Sequence, residues 1–594
     1  MVRGQLRVND VTDTDTQGNL ESSRRRYGAA LVALVLTGLA YWHAFTLSWL
    51  CDDAFASFRY AQNWARGIGL VFNAHERVEG ITNPLWTIAL GVVSRWGFNI
   101  ERAALQFGIW AFVLCVLGLY FLHARQRAKI SLWSLPIGAL LAVADRDWAT
   151  FATGGLETSA FSLSVLVSYI LAWTLSPVMA GMGAGLGIAV CGMLRPDGAI
   201  FVVPLALAFV GKRRAGLLPY LAGSLVPLAA FHVWRHGYYG SWLPNTYYAK
   251  SAFLSWWSQG FVYLGYFALR HAAVIAVALA ASAYLIVQSF LDRVKQGNRA
   301  SERPITAEAG LHGLVVAWAM ILAYTLSVVR VGGDFMYARM LVPALPLLYA
   351  VLDLTLVRVF AHKRMRALVL GLWLLLATWA WPCPVDTNIV AHSGVVDERA
   401  YYQLGFAEAA EKSARLLREC TQGYPTRVAI YGGELRLAYR ARFPYVIEAH
   451  AGLMDPVIAH RPIVSRQRVG HEKSADAAYL VLTKKAHFAT SPLYGILSDP
   501  SGFIPEVHAN LCGVDVRLLH WDRSFIEYVR SRGAQVPEFT SWLDELLARL
   551  DSVSDTTARV QYEAAEHFYF AHNLDPVRKQ MFLNRLARSR PAFP

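Results

Sequence analysis

Charge is what this chain has least of. Only 16% of its 594 residues are Asp, Glu, Lys or Arg, against roughly a quarter in an ordinary soluble domain. The shortage falls on the acids, with 42 Asp and Glu facing 56 Lys and Arg. Cysteine is also scarce: six residues and no CxxC pair. With no HExxH stretch either, zinc hydrolysis lacks ligands, and with no Walker phosphate loop, ATP-driven transport lacks its nucleotide cradle. What remains is apolar: 55% hydrophobic residues, 13% aromatics including 19 Trp, and a mean hydropathy of +0.33. That balance excludes a disordered chain and a single soluble domain, and the aromatics suit rings held at headgroup level.

About 20 apolar residues cross a hydrocarbon core of about 30 Å. Runs of that kind lie near 28 to 48, 102 to 122, 131 to 144, 158 to 176, 179 to 194, 198 to 211, 215 to 234, 266 to 290, 311 to 329, 341 to 357 and 367 to 382. The reading is therefore about eleven transmembrane helices. The polar stretch from Met1 to Arg26 is too long for a signal-peptide n-region, so the first span is expected to stay as an anchor.

The net charge of +14 suggests nucleic acid until the basic residues are placed. Arg24 to Arg26 precede the first span, and Arg125, Arg127 and Lys129 follow the second. Lys212 to Arg214 follow the sixth, Arg293, Lys295, Arg299 and Arg303 the eighth, and Arg358, Lys363, Arg364 and Arg366 the tenth. Alternating the spans puts every cluster on one side, which the positive-inside rule makes cytoplasmic. The excess reports orientation in a plasma membrane, and no nucleic-acid partner is needed. The N-terminus is then inside, and the loops at 51 to 98, 145 to 157, 195 to 198, 236 to 260 and 331 to 340 lie outside with everything after Trp381. Chemistry on that face has no nucleotide pool and must draw on a lipid carrier or another external donor.

Three units follow: a cytoplasmic segment at 1 to 27, a membrane domain at 28 to 385, and an extracytoplasmic α/β domain at 386 to 594 expected to bind the acceptor. In the last, RVAIY at 427 to 431 reads as a strand entering a helix through Gly432 and Gly433, and AYLVLT at 478 to 483 as another strand. Amphipathic helices are expected near 523 to 532, 539 to 551 and 557 to 572. The diglycine has the look of a nucleotide loop but lacks GxGxxG spacing. Cys420 and Cys512 fall outside, where a disulfide between them is permitted.

The loop at 51 to 87, CDDAFASFRYAQNWARGIGLVFNAHERVEGITNPLWT, carries the most chemistry. Asp52 and Asp53 open an interfacial helix, with Arg59 at phosphate height. One acid can simply cap the helix and the other be solvated; paired, they can serve as general base and supporting electrostatics, or hold a divalent cation. Glu79, Asn83 and Trp86 offer sugar-hydroxyl partners and a stacking surface, or form an ordinary turn. RPDG at 195 to 198 is a turn that aims Arg195 at a phosphate, or a turn alone. LPNTYYAK at 243 to 250 supplies Asn245, Tyr247 and Lys250 for a lipid-linked sugar phosphate, or is an aromatic belt with a snorkelling lysine. GGDFMYAR at 332 to 339 can nest an anion between Asp334 and Arg339, or be a tight interhelical turn. In the tail, His471 can reach the acceptor or be a surface residue. Five such motifs on one face fit one site.

In order along most of the chain, DDAFASFRYAQN (52 to 63), GLVFNAHERVEGITNPLWT (69 to 87), TGGLET (153 to 158), RPDG, LPNTYYAK, GGDFMYARMLVPALP (332 to 346), AHAGLMDPVIAH and RVGHEK (449 to 473) make the sequence recognisable. It resembles polyprenyl-phosphate-dependent membrane glycosyltransferases of the GT-C fold, most closely the actinobacterial terminal β-(1→2) arabinofuranosyltransferases. The resemblance implies transfer of D-arabinofuranose from a decaprenylphosphoryl donor to the non-reducing ends of cell-wall arabinan on the outer membrane face, with net retention. It implies catalytic roles for Asp52 and Asp53. Arg59, Arg195, Lys250 and Arg339 are then expected at the donor phosphate, and Glu79, Asn83, Trp86, Asn245, Tyr247, Asp334 and His471 at the sugar or acceptor. The acid pair is able to hold a divalent cation but does not require one, and no other cofactor is expected. Runner-up readings are transfer of another polyprenyl-phosphate sugar, or transfer to a protein such as a pilin. A lipid-linked glycan transporter is the alternative without chemistry; it would favour internal repeats and midplane polar sites, neither of which is seen.

Overall fold

The computed structural model describes residues 11–126, 135–296, 305–360, 364–463, 466, 468–490 and 503–588. Its first part is helical: α1 (Val11–Thr46), α2 (Ala54–Ala65), α3 (Pro84–Arg95), α4 (Ile100–Gln126), α5 (Ile137–Ala144), α6 (Arg146–Phe151), α7 (Thr158–Thr174), α8 (Pro177–Leu194), α9 (Val202–Ala206), α10 (Leu217–Tyr239), α11 (Asn245–Ala249), α12 (Trp257–Arg270), α13 (Ala272–Gln296), α14 (Ile305–Arg330), α15 (Leu345–Val359) and α16 (Arg364–Ala380). Among the described residues, seven stretches are long and apolar enough to cross a membrane: Arg26–Thr46, Ile100–Gln126, Pro177–Leu194, Gly211–Tyr239, Ala272–Asp292, Gly310–Arg330 and Val342–Val359. Shorter apolar helices fill Thr158–Thr174, Pro196–Phe209 and Met365–Ala380. Each of the eleven expected runs thus meets a helical segment, the third reduced to the eight residues of α5. Residues 131 to 134 of that run, and Arg127, Lys129, Arg299, Arg303 and Lys363, lie outside the described residues.

These helices pack as lipid-embedded helices must, through small residues, since hydrocarbon provides no hydrophobic drive between them. The α8 sequence AGMGAGLG shows it: a Cβ on Gly185 would sit 2.4 Å from the Tyr220 carbonyl of α10, so the two backbones touch. Polar caps lie at the external ends. Asp145 accepts from the Trp148 amide at 2.9 Å and starts α6.

The tail adds α17 (Glu398–Tyr401), α18 (Ala407–Thr421), β1 (Arg427–Ile430), α19 (Leu435–Ala441), β2 (Tyr445–Glu448), α20 (Pro456–Ala459), β3 (Phe488–Thr490), β4 (Val507–Leu511), β5 (Val514–Leu518), α21 (Arg523–Arg530), α22 (Phe539–Arg549), α23 (Asp555–Ala565) and α24 (Pro576–Arg588). The mixed sheet runs β2-β1-β3-β5-β4, with β1 parallel to β2 and β3, and the β4–β5 hairpin antiparallel to β3. β1 and the diglycine turn into α19 fall where the sequence placed them. The strand expected at 478 to 483 does not form: Tyr479–Thr483 is a single π-helical turn, and the strand comes at β3. An apolar run of that length fits a buried helix as well as a strand, so its period could not decide. Cys512 (φ 56°) and Gly513 (φ 100°) make the two-residue turn between β4 and β5, the left-handed pair that matches strand twist. From that turn Cys512 bridges to Cys420 of α18.

The tail and the loop at 51 to 98 share one core. Arg59 of α2 donates to Phe72 O (2.8 Å), to Asn73 Oδ1 (3.2 Å) and to Phe443 O in the tail (3.0 Å). Asn73 answers by accepting from the Val446 amide of β2 (3.0 Å) and donating to its carbonyl (2.9 Å).

Candidate active site

A cavity of about 470 Å³ opens where the C-terminal ends of α8, α10 and α14 meet the α10–α12 loop, the Gly332–Arg339 loop and one tail residue, Val469. Its wall has two chemistries. Gly192, Ile200, Leu228, Leu243, Val328 and Val331 give it apolar lining. Glu157, Arg195, Asp197, Lys250, Asp334 and Arg339, with Arg235 and Arg330, give it polar and charged lining. A smaller chamber of about 50 Å³ adjoins it and shares Thr82, Glu157, Thr246, Lys250 and Arg339. Asp53, Ser57 and Asn83 close its far end, with Leu435 and Leu453 from the tail.

Hydrogen bonds separate the lining groups that are used up from those that are not. Arg195 grips Asp197 with two donors, Nε to Oδ1 at 3.0 Å and Nη2 to Oδ2 at 2.7 Å. Its Nη1 is buried with no partner among the described residues, and so is Thr246 Oγ1. Arg339 pairs with Asp334 (Nε to Oδ2, 3.0 Å) and with Asp53 (Nη1 to Oδ2, 3.2 Å). Arg235 pairs with buried Glu79 at 2.7 Å. Among the described residues, Lys250 and Arg330 have no carboxylate within 4 Å. The wall therefore carries two uncompensated cations and two orphaned polar atoms. Buried polar groups are normally paired, so the two buried orphans, Arg195 Nη1 and Thr246 Oγ1, beside the half-buried Lys250 and the exposed Arg330, suit an anionic, hydroxyl-bearing ligand.

The acidic pair divides. Asp53 reaches the chamber with Oδ1 free of protein partners among the described residues. Asp52 turns the other way and is 3% exposed. Its Oδ2 accepts from the Leu435 amide and its Oδ1 from the Arg436 amide, both at 2.9 Å, tying the loop to the first turn of α19. Burial pushes its carboxyl up to about 7 against the pull of those two amides. Adjacent residues of a helix turn do not share a face, and here one faces the cavity and its neighbour the tail.

Of the other expected site residues, Arg195, Lys250, Arg339, Tyr247 and Asp334 stand on the main cavity, and Asn83 on the chamber. Asn83 donates to Glu157 Oε2 at 2.7 Å and accepts from Ser57 at 3.0 Å. The rest lie elsewhere. Arg59 spends its donors on carbonyls between loop and tail, so it is not at a phosphate. Glu79 is sealed behind Arg235, where burial pushes it up to about 7. Trp86 is buried, donating to Gly155 O at 3.1 Å, and offers no stacking face to the cavity. Asn245 turns to the Gly452 and Leu453 carbonyls at 2.9 and 2.8 Å. His471 packs against Phe335 and His450, and burial holds its imidazole well below the ordinary range, hence neutral. The anion nest expected at Gly332-Gly333 is absent, because both amides cap α14 on the Val329 and Val328 carbonyls. Gly333 is required at φ 76°, where a Cβ would meet the Tyr263 ring at 2.4 Å.

Glu157, Asp197, Arg235, Thr246 and Arg330 are among the lining residues not singled out in advance. Arg330 carried a signal: by the span alternation it is a cation on the outer face, where topology gives it no reason to be. Two groups among the described residues have metal-ligand spacing, Asp145 with Asp147 and His271, and His487 with His520 and Asp522. Neither includes Asp52, whose two oxygens accept amide N–H groups, or Asp53, whose Oδ2 is paired with Arg339.

No family model matches this chain. The terminal β-(1→2)-arabinofuranosyltransferase of Mycobacterium tuberculosis is 30% identical over 434 residues, 66% of this chain and 67% of that protein. The protein of the same name from Corynebacterium glutamicum is 29% identical over 411 residues, 63% of this chain and 58% of that one. Among solved structures, ArnT from Cupriavidus metallidurans bound to undecaprenyl phosphate superposes with a TM-score of 0.49 at 12% identity, covering 83% of this chain and 98% of that one.

Proposed function

The chain belongs to the terminal β-(1→2)-arabinofuranosyltransferase family, and from that premise we propose that it transfers D-arabinofuranose from a polyprenyl-phosphoryl donor to the non-reducing ends of a cell-wall arabinan. The observation that carries the reading is the mixed lining of the cavity. A polyprenyl-phosphoryl sugar has an apolar tail, one anionic phosphate and a hydroxyl-rich ring, and the wall offers a matching surface for each. The span alternation supports a cavity on the outer face of the plasma membrane, where a polyprenyl-phosphoryl donor takes the place of a nucleotide sugar.

In the reaction the bond between the anomeric carbon and the phosphate oxygen breaks, and its electron pair stays on that oxygen. Lys250 and Arg330, which have no carboxylate to neutralise them, and Arg195 Nη1 are positioned to meet the growing negative charge. Fixed cations in a site largely closed to water stabilise such charge more than solvent would. The acceptor hydroxyl oxygen bonds to the anomeric carbon on the face the phosphate leaves, which keeps the configuration, and its proton passes to Asp53, whose Oδ1 is open to the chamber. Arg339 fixes Asp53 from one side and Asp334 from the other. Glu157 and Asn83 line the route between the chambers with sugar-hydroxyl partners.

The test is to supply the purified full chain with polyprenylphosphoryl arabinofuranose and a short arabinan, and to read the product linkage by NMR. A new terminal β-(1→2) arabinofuranose is expected. Turnover only with a different polyprenyl-phosphate sugar would overturn the sugar assignment, and intact donor under all conditions would overturn the reaction.

A further inference from the structure

A second cavity, of about 240 Å³, lies apart from the active site, between the α3–α4 turn and the tail helices α18 and α19. Gln62, Ser94, Asn99 and Glu101 line it from the membrane side, and Arg418, Tyr439, Arg440 and Arg442 from the tail. Of the three arginines, Arg440 is spent: it holds Glu101 at 2.6 Å and Glu411 at 2.9 Å. Arg418 and Arg442 meet no carboxylate among the described residues. Glu101, the one acid in the lining, is thereby neutralised, and the groove is left with two unopposed positive charges.

Its height in the membrane is set by independent features. Ile100 and Glu101 open α4, the span Ile100–Gln126. In the turn just before it, Trp96 is 72% exposed and Phe98 65%. Large rings left bare at the external end of a span sit at the headgroup level. Below the groove, Phe107, Trp110 and Leu114 are exposed along one stripe of α4, spaced three and four residues apart. A polar, cationic groove thus stands directly over an apolar track.

We propose that this groove binds the headgroup of an anionic phospholipid, its phosphate between Arg418 and Arg442 and its acyl chains along Phe107, Trp110 and Leu114. A neutral glycan would use the Gln, Asn and Ser groups but leave both guanidinium charges unopposed. A free phosphate would use the charges but not the track. The lipid uses both, and because α19 also carries the amides that hold Asp52, it braces the tail domain against the membrane beside the active site.

The test is native mass spectrometry of the full chain released from nanodiscs of mixed phosphatidylglycerol and phosphatidylcholine. The wild type is expected to retain phosphatidylglycerol selectively, and Arg418→Gln/Arg442→Gln to retain it roughly thirtyfold less, the effect of removing two charges from an anionic surface. Arg418→Lys/Arg442→Lys, which keeps the charges, is expected to retain it and serves as the folding control. Excess inorganic phosphate is expected not to displace the lipid. Equal retention of both lipids by the wild type, unchanged retention by the glutamine variant, or full displacement by inorganic phosphate would each overturn the assignment.

Discussion

Asp52 and Asp53 are neighbours in the chain and opposites in the molecule. The region around Asp52 is saturated: both its oxygens accept amide N–H groups, Arg59 is surrounded by carbonyls, and Asn245 and Lys473 tie the α11 segment to the tail. The region around Asp53 is not, since an oxygen of its carboxylate, Arg195 Nη1, Thr246 Oγ1 and the cations of Lys250 and Arg330 have no protein partner among the described residues. Leaving a buried polar group unmade costs about 1–3 kcal/mol, so the buried orphans Arg195 Nη1 and Thr246 Oγ1 point to a ligand at the cavity. At the joint between the membrane helices and the tail, the Asp52 carboxylate is fully used, while the Asp53 carboxylate is not.

Substitutions can break that comparison, beginning with the one expected to affect transfer most. Asp53→Asn removes the proton acceptor while keeping size and the Arg339 contact. Transfer is expected to fall about a thousandfold, within the usual range for a general base, with the melting temperature unchanged. Lys250→Gln removes an unopposed cation from the phosphate wall, for an expected loss of about a hundredfold in kcat/KM, partly restored in Lys250→Arg. Asp52→Asn keeps one acceptor oxygen and loses the other, so a tail amide goes unpaired. Transfer is expected to fall less than tenfold, while stability drops by about 1–3 kcal/mol in denaturant titration. Cys420→Ser is expected to leave transfer unchanged at low temperature. Opening a loop of 92 residues lowers tail stability by up to about 4 kcal/mol.

The pH dependence sharpens the same contrast. Burial raises Asp52 from an ordinary carboxyl to about 7 in the folded protein. Between about 4 and 7 the folded state then holds a proton that the unfolded state has released, so stability falls as pH rises through that window. Asp52→Asn is expected to flatten the slope. A residue of it is expected to persist, because burial also pushes Glu434 and Glu79 up to about 7. Melting curves across the window check this, and an unaltered slope in Asp52→Asn would remove the clamp from the account.

Much of the architecture was legible in the sequence because membrane spans, basic clusters and the β1–α19 turn are local patterns. So was the set of motifs from which the cavity is built: RPDG, LPNTYYAK and GGDFMYAR each deliver a lining residue. The orientation of each side chain was not legible. Asp52 is held by residues 383 and 384 positions away, and Arg59 by Phe443 at a separation of 384. Nothing near either residue announces such a partner. The expected anion nest failed for a local reason, since a helix ending at Gly332-Gly333 uses those amides to cap itself. Glu157 was hidden differently, as an acid that reads as an ordinary helix start until Asn83 and Arg195 are brought beside it.

The most direct measurement sets the two aspartates side by side: the rate of arabinofuranose transfer by Asp53→Asn and by Asp52→Asn in one assay, each with its melting temperature. The account predicts a thousandfold loss without destabilisation for Asp53→Asn, and a loss below tenfold with destabilisation for Asp52→Asn. Equal loss of transfer in both at unchanged melting temperature, or the larger loss in Asp52→Asn, would contradict it.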